Sequence, residues 1–176
     1  MSSSDLVQDL TDRLAIEEVL ARYCRGIDRC DADALTEVFT ADAQIDYGDG
    51  ATPIAEAIAS LMSGLRAMKL TQHNIGNIIC ALEAGGKARC ETYCVALHII
   101  PGEPDVEVVV GGRYLDTLTK TDGTWKIAER RYIMDWNRNG PASMQTSGGL
   151  YDTLMRRGDR FPSDPSYAWW ASERDG

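Results

Sequence analysis

The chain has 176 residues, about one domain, and its 44% hydrophobic and 26% charged residues are typical of a soluble globular protein. Its formal net charge of −9 at pH 7 and its short basic clusters, at 129–131 and 155–160, argue against a nucleic-acid-binding surface. No apolar run approaches the length that a membrane span requires.

The cysteines indicate a reducing compartment. There are five, an odd number, and their spacing fits no zinc motif. The N-terminal stretch MSSSDLVQDL is polar and acidic, unlike a signal peptide. We therefore predict a cytoplasmic protein without a metal site, whose cysteines serve as small core residues. These are Cys24, Cys30, Cys80, Cys90 and Cys94.

The first part of the chain has a helical pattern. Residues 1–10 are predicted to be a loose lead-in. From Thr11 to Ile27, apolar residues recur at three- and four-residue steps, which predicts an amphipathic helix. Asp31 is a good N-cap for a short second helix that ends near Phe39.

A short strand and a third helix are expected next. The segment AQIDYGDG, at 43–50, predicts a short strand closed by a turn. Residues 52–68 form an amphipathic pattern with Pro53 in the first turn, which predicts a helix.

Long strands dominate the second half of the chain. Segments with the composition of hairpin turns separate four β-like runs, at 70–83, 87–100, 105–120 and 124–137. These runs exceed the usual strand length, so we expect strong curvature or bulges, and Gly111 and Gly112 are the expected site of one. Residues 138–176 have no clear period apart from a short helical stretch at 149–157.

Helices followed by a meander of long strands predict an α+β fold. We expect a cone-shaped α+β barrel, in which the N-terminal helices pack on a strongly curved, mainly antiparallel sheet and enclose a pocket. Residues 1–137 are predicted to form this domain. Residues 138–176 are predicted to be a C-terminal tail that covers the pocket or a neighbouring subunit, and not a separate domain.

Strand alternation divides the polar side chains between two faces. His73 and Asn77 share one face of the first long run, and Cys94 and His98 share one face of the second. On the last run one face carries Arg130, Tyr132, Met134 and Trp136, and the other carries Trp125, Ile127, Glu129 and Arg131. Either of these two sets could point inward, and a slip of one residue would exchange Arg130 with Arg131.

An aspartate and a histidine are the first candidates for catalysis. Asp28 falls at the C-terminal end of the first helix, where the helix dipole disfavours a carboxylate. If Asp28 is buried it needs a donor or a cation, and His73 is the obvious candidate. A carboxylate fixes the tautomer of an imidazole and stabilises the imidazolium, which would make His73 a general base. A tyrosine could hold a leaving group, and a guanidinium could stabilise developing negative charge.

Two long segments resemble a known family. LTDRLAIEEVLARYCRGIDRCDADALTEVFTADAQIDYGDG resembles the opening, and GGRYLDTLTKTDGTWKIAERRYIMDW the closing hairpin, of SnoaL-like proteins in the nuclear-transport-factor-2-like superfamily. The resemblance covers roughly residues 8 to 137. In catalytic pattern the sequence is most similar to scytalone dehydratase, bile-acid 7α-dehydratase and hexachlorocyclohexane dehydrochlorinase.

The resemblance implies roles for individual residues. Those enzymes pair an aspartate near the end of the first helix with a histidine on the first long strand, which Asp28 and His73 match. By the same resemblance the predicted catalytic set is Asp28, His73, Tyr23, Tyr47 and Arg130. The predicted substrate-binding set, from the resemblance and from strand alternation, is His98, Asn77, Tyr132, Met134 and Trp136.

The predicted function is that of a dehydratase-like lyase, or an isomerase or cyclase, acting without a cofactor on a hydrophobic, cyclic small molecule. One alternative is a non-catalytic partner similar to the β-subunits of aromatic-ring dioxygenases, which need no Asp–His pair. A third is a small-molecule-binding protein. The resembling dehydratases are homotrimers, so a homo-oligomer is expected, with a trimer favoured over a dimer.

Overall fold

The computed structural model describes residues 2–172. Met1 of the predicted lead-in and residues 173–176 of the predicted tail lie outside this range.

Three helices precede the long strands. They are α1 (Ser3–Arg29), α2 (Ala32–Val38) and α3 (Ile54–Ala67). The predicted lead-in over residues 2–10 is wrong, because Ser2 caps α1 and forms a reciprocal capping box with Asp5. The apolar side chains of this first part, Leu6, Val7 and Leu10, are about half exposed. They produce no buried stripe, and only the cap marks the start of the helix.

The six strands form one curved sheet that does not close on itself. They are β1 (Phe39–Asp46), β2 (Ala51–Pro53), β3 (Leu70–Glu83), β4 (Lys87–Ile100), β5 (Val106–Thr121) and β6 (Thr124–Pro141). Their order is β2-β1-β6-β5-β4-β3, and every pair is antiparallel except β1 with β6. The predicted α+β cone with N-terminal helices on a mainly antiparallel sheet is confirmed.

Three bulges bend the long strands and change which side chains point inward. The extra residue is Asn77 in β3, where φ is 47°, and Ala128 and Asp135 in β6. The third bulge lies opposite Gly111 and Gly112, as predicted, although β6 carries the extra residue.

The bulge at Ala128 resolves which face of β6 is buried. Before it, Trp125 and Ile127 are buried, and after it Arg130 is buried and Tyr132 is half-buried. Each of the two predicted faces therefore contributes side chains to the interior. Arg130 is buried, whereas Arg131 is exposed.

The concave side of the sheet and the inner faces of α1, α2 and α3 form one hydrophobic core. Gly112 lies in a crowded part of the sheet, where a Cβ would come within 2.3 Å of the Ile133 carbonyl oxygen and 2.5 Å of the Tyr132 hydroxyl. A larger residue at this position would displace Tyr132.

The tail contains two short helices, α4 (Gly149–Thr153) and α5 (Pro165–Ser172). Helix α5 was missed in the sequence because none of its residues is buried, so it has no apolar stripe. The Phe161 N–H donates to the Arg29 carbonyl at 2.8 Å, and the Tyr167 hydroxyl donates to Asp31 at 2.7 Å. These bonds hold residues 158–172 against the end of α1.

A buried carboxylate organises this part of the tail. Asp164 is 4% exposed, and one of its oxygens is 3.1 Å from Nε of Arg29. Burial raises its pKa, but hydrogen bonds from Ser166 and Asp159 and the charge of Arg29 lower it more, to about 2. Asp164 therefore stays ionised at neutral pH.

No helix within residues 2–172 is both long enough and apolar enough to cross a membrane.

Candidate active site

The structure brings Asp28 and His73 together. Asp28 is in the last turn of α1, and His73 is the fourth residue of β3, which packs beside that helix. Nδ1 of His73 is 2.7 Å from Oδ1 of Asp28, and the His73 backbone N–H donates to Oδ2 at 2.9 Å. Because an ionised carboxylate can only accept, Nδ1 carries the proton and Nε2 is the basic nitrogen of the neutral ring.

Both side chains are about nine-tenths buried, with 9% of His73 and 11% of Asp28 exposed. Nε2 of His73 makes no hydrogen bond within residues 2–172. The double contact with Asp28 fixes the ring in position and would stabilise the imidazolium after it accepts a proton.

The second histidine lies next to the first. The ring centroids of His98 and His73 are 5.5 Å apart, and Nδ1 of His98 shares a hydrogen bond of 2.9 Å with the hydroxyl of Thr71. Burial and the charge of His73 lower the pKa of His98, and the charge of Asp28 opposes them only in part. His98 is therefore a neutral, polar group beside the dyad.

Two tyrosines form a hydrogen-bonded pair across the interior. The hydroxyls of Tyr23 and Tyr47 share a short hydrogen bond. Burial raises the pKa of both phenols, although the charge of Arg130 opposes it. Both hydroxyls therefore keep their protons at neutral pH and can act as donors.

A cavity of about 320 Å³ joins these groups. Its polar wall residues are His73, His98, Tyr23, Tyr47, Tyr114 and Tyr132, and most of the remainder is apolar, including Ile27, Leu61, Met68 and Val110. Its volume suits a small organic molecule. We refer to it as the tyrosine cavity.

Arg130 does not line the tyrosine cavity but lies beneath the aromatic rings. Its guanidinium donates through Nε and Nη2 to the two oxygens of Asp116, both at 2.7 Å. Its central carbon is 3.9 Å from the ring centroid of Tyr23 and 4.1 Å from that of Tyr114. The structure thus positions Arg130 to support Tyr23, with a buried carboxylate as its counter-ion.

Three of the predicted substrate-binding residues do not line the tyrosine cavity. Asn77 is the bulged residue of β3 and is exposed, because the bulge reverses the alternation after Gly76. Trp136 follows the bulge at Asp135 and packs across Gly111, where it is 49% exposed. Met134, beside the same bulge, is 61% exposed. Tyr132 and His98 do line the cavity.

Sequence reasoning missed Asp116 and Tyr114. Both lie on the inward face of β5, and Asp116 is directly opposite Arg130 in the sheet. Strand alternation in the sequence could have predicted that both side chains point inward. The pairing of Asp116 with Arg130, however, depends on the bulge at Ala128. Within residues 2–172 no group of three or more His, Cys, Asp or Glu side chains is arranged to hold a metal ion.

The comparison with known proteins agrees with this architecture. The sequence model of the SnoaL-like domain matches residues 8–131. The chain belongs to the SnoaL-like domain family. An uncharacterised protein of Mycobacterium tuberculosis, Rv2910c, is 30% identical over 129 residues, which are 70% of this chain and 86% of that protein.

Several solved structures share the fold of this chain. The hexachlorocyclohexane dehydrochlorinase LinA-type3 of Novosphingobium barchaimii superposes with a TM-score of 0.70 at 17% identity, over 81% of this chain and 99% of that one. A scytalone dehydratase-like protein of Novosphingobium aromaticivorans gives 0.67 at 21% identity, over 81% and 95%. At these identities the likeness concerns the fold alone.

Proposed function

We propose that this SnoaL-like protein is a dehydratase-like lyase that needs no cofactor and acts on a hydrophobic, cyclic small molecule. One observation carries the proposal: the 2.7 Å contact between His73 and Asp28, which leaves the basic Nε2 without a protein partner beside an apolar cavity. A general base needs a basic nitrogen within reach of the substrate, and this tautomer of His73 supplies one.

The chemistry is an elimination. Nε2 of His73 takes a proton from a carbon next to an activating group, and the electrons of that C–H bond form the new double bond. The leaving group departs with the electrons of its own bond to carbon. Asp28 stabilises the imidazolium, and the hydroxyl of Tyr47 donates a hydrogen bond to the leaving group or to an enolate oxygen. Return of the proton to a different carbon would make the same groups an isomerase.

Arg130 contributes indirectly in this scheme. Its charge lies against the ring of Tyr23, which is hydrogen-bonded to Tyr47. As negative charge develops on the leaving group, Tyr47 can draw on Tyr23 and Arg130 for stabilisation. The role assigned to Tyr23 is therefore to orient Tyr47, and the ring of Tyr114 also contacts the guanidinium of Arg130.

The fold neighbours are consistent with elimination. A dehydrochlorinase and a scytalone dehydratase-like protein share this architecture, and both names refer to the removal of a small group from a ring compound. We also propose a homo-oligomer, since the outer face of the sheet exposes Tyr93, Val95 and Trp136. A trimer is favoured because the dehydratases that the sequence resembles are homotrimers. A cytoplasmic location remains a prediction.

The proposal is tested with a panel of cyclic β-hydroxyketones and vicinal chlorinated rings, incubated with the purified full chain. We expect at least one compound to lose water or hydrogen chloride at a rate proportional to protein concentration, without added metal or cofactor. Product formation is followed by mass spectrometry. If compounds bind but none reacts, and none exchanges a carbon-bound hydrogen in D₂O, the small-molecule-binding alternative replaces the lyase.

A further inference from the structure

A second cavity, of about 770 Å³, shares His73 with the tyrosine cavity. The end of α1, the start of β3 and the C-terminal tail form its wall. Because Asp28 and His73 both belong to this wall, a molecule that fills the second cavity lies directly against the dyad. The tail is the part of the chain that encloses it.

The wall of this cavity is cationic in a protein of formal net charge −9. It contains four basic side chains, Arg29, Lys69, Arg157 and Arg160, and two acidic ones, Asp28 and Asp159. Two of the basic groups have carboxylate partners outside the wall. Arg29 is 3.1 Å from Asp164, and Lys69 is 2.6 Å from Asp105.

The other two basic groups have no carboxylate within 4.0 Å among residues 2–172. Arg160 is fixed by neutral acceptors, since its guanidinium donates to the carbonyls of Leu65 at 2.7 Å and Met68 at 2.8 Å and to Sγ of Cys30 at 2.8 Å. A carbonyl orients an arginine without cancelling its charge. The guanidinium of Arg160 is therefore held in place, and no carboxylate neutralises its positive charge.

Arg157 is positioned in a similar way. Its guanidinium donates to the Tyr151 carbonyl and lies over the ring of the same tyrosine, 3.9 Å from the centroid. Its Nε is buried and has no hydrogen-bond partner within the described chain. A buried N–H of a charged group without an acceptor costs free energy, which an anionic ligand at this position would recover.

The acidic groups of the wall do not pair with these arginines. Both oxygens of Asp28 already accept hydrogen bonds from His73, and Asp159 is exposed to solvent. A carboxylate or phosphate could accept a hydrogen bond from the unpaired Nε of Arg157 and would be attracted by the charge of Arg160. A cleft lined by one sign of charge also raises the local concentration of oppositely charged ligands.

We propose that this second cavity, the arginine vestibule, binds a carboxylate or phosphate group of the substrate while the apolar body occupies the tyrosine cavity. The substrate is then a hydrophobic acid or phosphate ester. This deepens the proposed function, on which it rests for the position of the reacting carbon. Binding of the anion itself requires no turnover and can be measured separately.

Three probes of similar shape test the vestibule: 2-naphthoate, 2-naphthyl phosphate and the neutral 2-naphthamide, titrated calorimetrically into the full chain. We expect at least one anion to bind about tenfold more tightly than the amide, and the preference to shrink in 1 M NaCl because salt screens charges. Whichever anion binds more tightly shows whether the site prefers a carboxylate or a phosphate. Equal affinity for the amide and both anions would overturn the proposal.

Two neighbouring arginines provide a matched pair of variants. Arg157→Gln is expected to weaken binding of the preferred anion about tenfold without affecting the amide, whereas Arg157→Lys, which keeps the charge but not the planar donor group, should retain only part of the preference. Arg156 is exposed and lies outside the wall, so Arg156→Gln should leave binding unchanged. Equal effects of Arg156→Gln and Arg157→Gln would contradict the vestibule.

The two proposals fail in different ways. A His73→Ala variant should keep the preference for the anion, since His73 supplies none of the vestibule's permanent charge. If that variant kept full turnover while the anion preference held, the lyase mechanism would fall and the vestibule would stand. If the wild-type protein showed no anion preference but its turnover depended on His73, the vestibule would fall and the lyase mechanism would stand.

Discussion

Replacing His73 with glutamine is expected to reduce turnover by about 10²- to 10⁴-fold, the usual contribution of a general base. Glutamine can still donate a hydrogen bond to Asp28 but cannot accept a proton at neutral pH. The carboxylate of Asp28 would therefore keep a partner, and its backbone contact with residue 73 would persist. The loss should appear in kcat, with little change in KM, because the base acts only in the transition state.

The control is the next outward-facing residue of the same strand. Asn74 is exposed and lines neither cavity, so Asn74→Ala should leave kcat unchanged. The reaction is followed with the compound that the substrate panel identifies, and the thermal unfolding temperature is recorded for each variant. Full turnover by a folded His73→Gln protein would rule out the general-base mechanism.

Breaking the buried ion pair is expected to have the largest effect on stability. The side chains of Arg130 and Asp116 are 1% and 0% exposed and are joined by two hydrogen bonds. Asp116→Leu would leave the guanidinium of Arg130 buried without its counter-ion. In the native protein burial lowers the pKa of Arg130, but the charge and hydrogen bonds of Asp116 outweigh this effect and raise it. We expect a loss of about 3–5 kcal/mol in the free energy of unfolding.

The double variant Arg130→Met with Asp116→Leu should recover much of that loss, because it removes both charges and fills the space with apolar atoms. The exposed neighbour serves as control: Arg131→Met should change the free energy of unfolding by no more than about 0.5 kcal/mol. Urea denaturation measures all four proteins. A double variant less stable than Asp116→Leu would show that the pair itself, and not its uncompensated charge, dominates.

Much of the fold could be predicted because the patterns are long and regular. The helix from Thr11 to Ile27 and the four hairpin strands have clear periods, and the strand ends at β3 and β4 agree with the predicted runs. Asp28 and His73 could be paired in advance because a buried carboxylate at a helix end needs a donor. Their distance in the structure is consistent with that argument.

The bulges could not be predicted individually, and they account for the displaced site residues. Counting outward from the Asp122–Gly123 turn without a bulge would place Asp116 opposite Glu129, whereas the extra residue Ala128 places it opposite Arg130. One inserted residue thus converts a pair of like charges into a buried ion pair. A separate bulge in β3 likewise moves Asn77 outward. The position of each bulge depends on the curvature of the whole sheet.

The arginine vestibule was also invisible in the sequence. Arg157 and Arg160 belong to a cluster whose spacing has no period. The position of Arg160 follows from contacts with Cys30 at the end of α1 and with Leu65 in α3. Such contacts join residues that are about a hundred positions apart, which no local pattern encodes. Only the three-dimensional structure therefore shows that the tail contributes to the wall of this cavity.

The central claim is that Asp28 holds His73 with its proton on Nδ1 and a basic Nε2. Nitrogen-15 NMR of the imidazoles tests this directly and needs no substrate, because the chain contains only two histidines and a His98→Gln variant assigns the spectrum. For neutral His73 we predict a protonated Nδ1 and an unprotonated Nε2, with the Nδ1 proton lost from this position in Asp28→Asn. A neutral His73 with its proton on Nε2 in the wild-type protein would contradict the account.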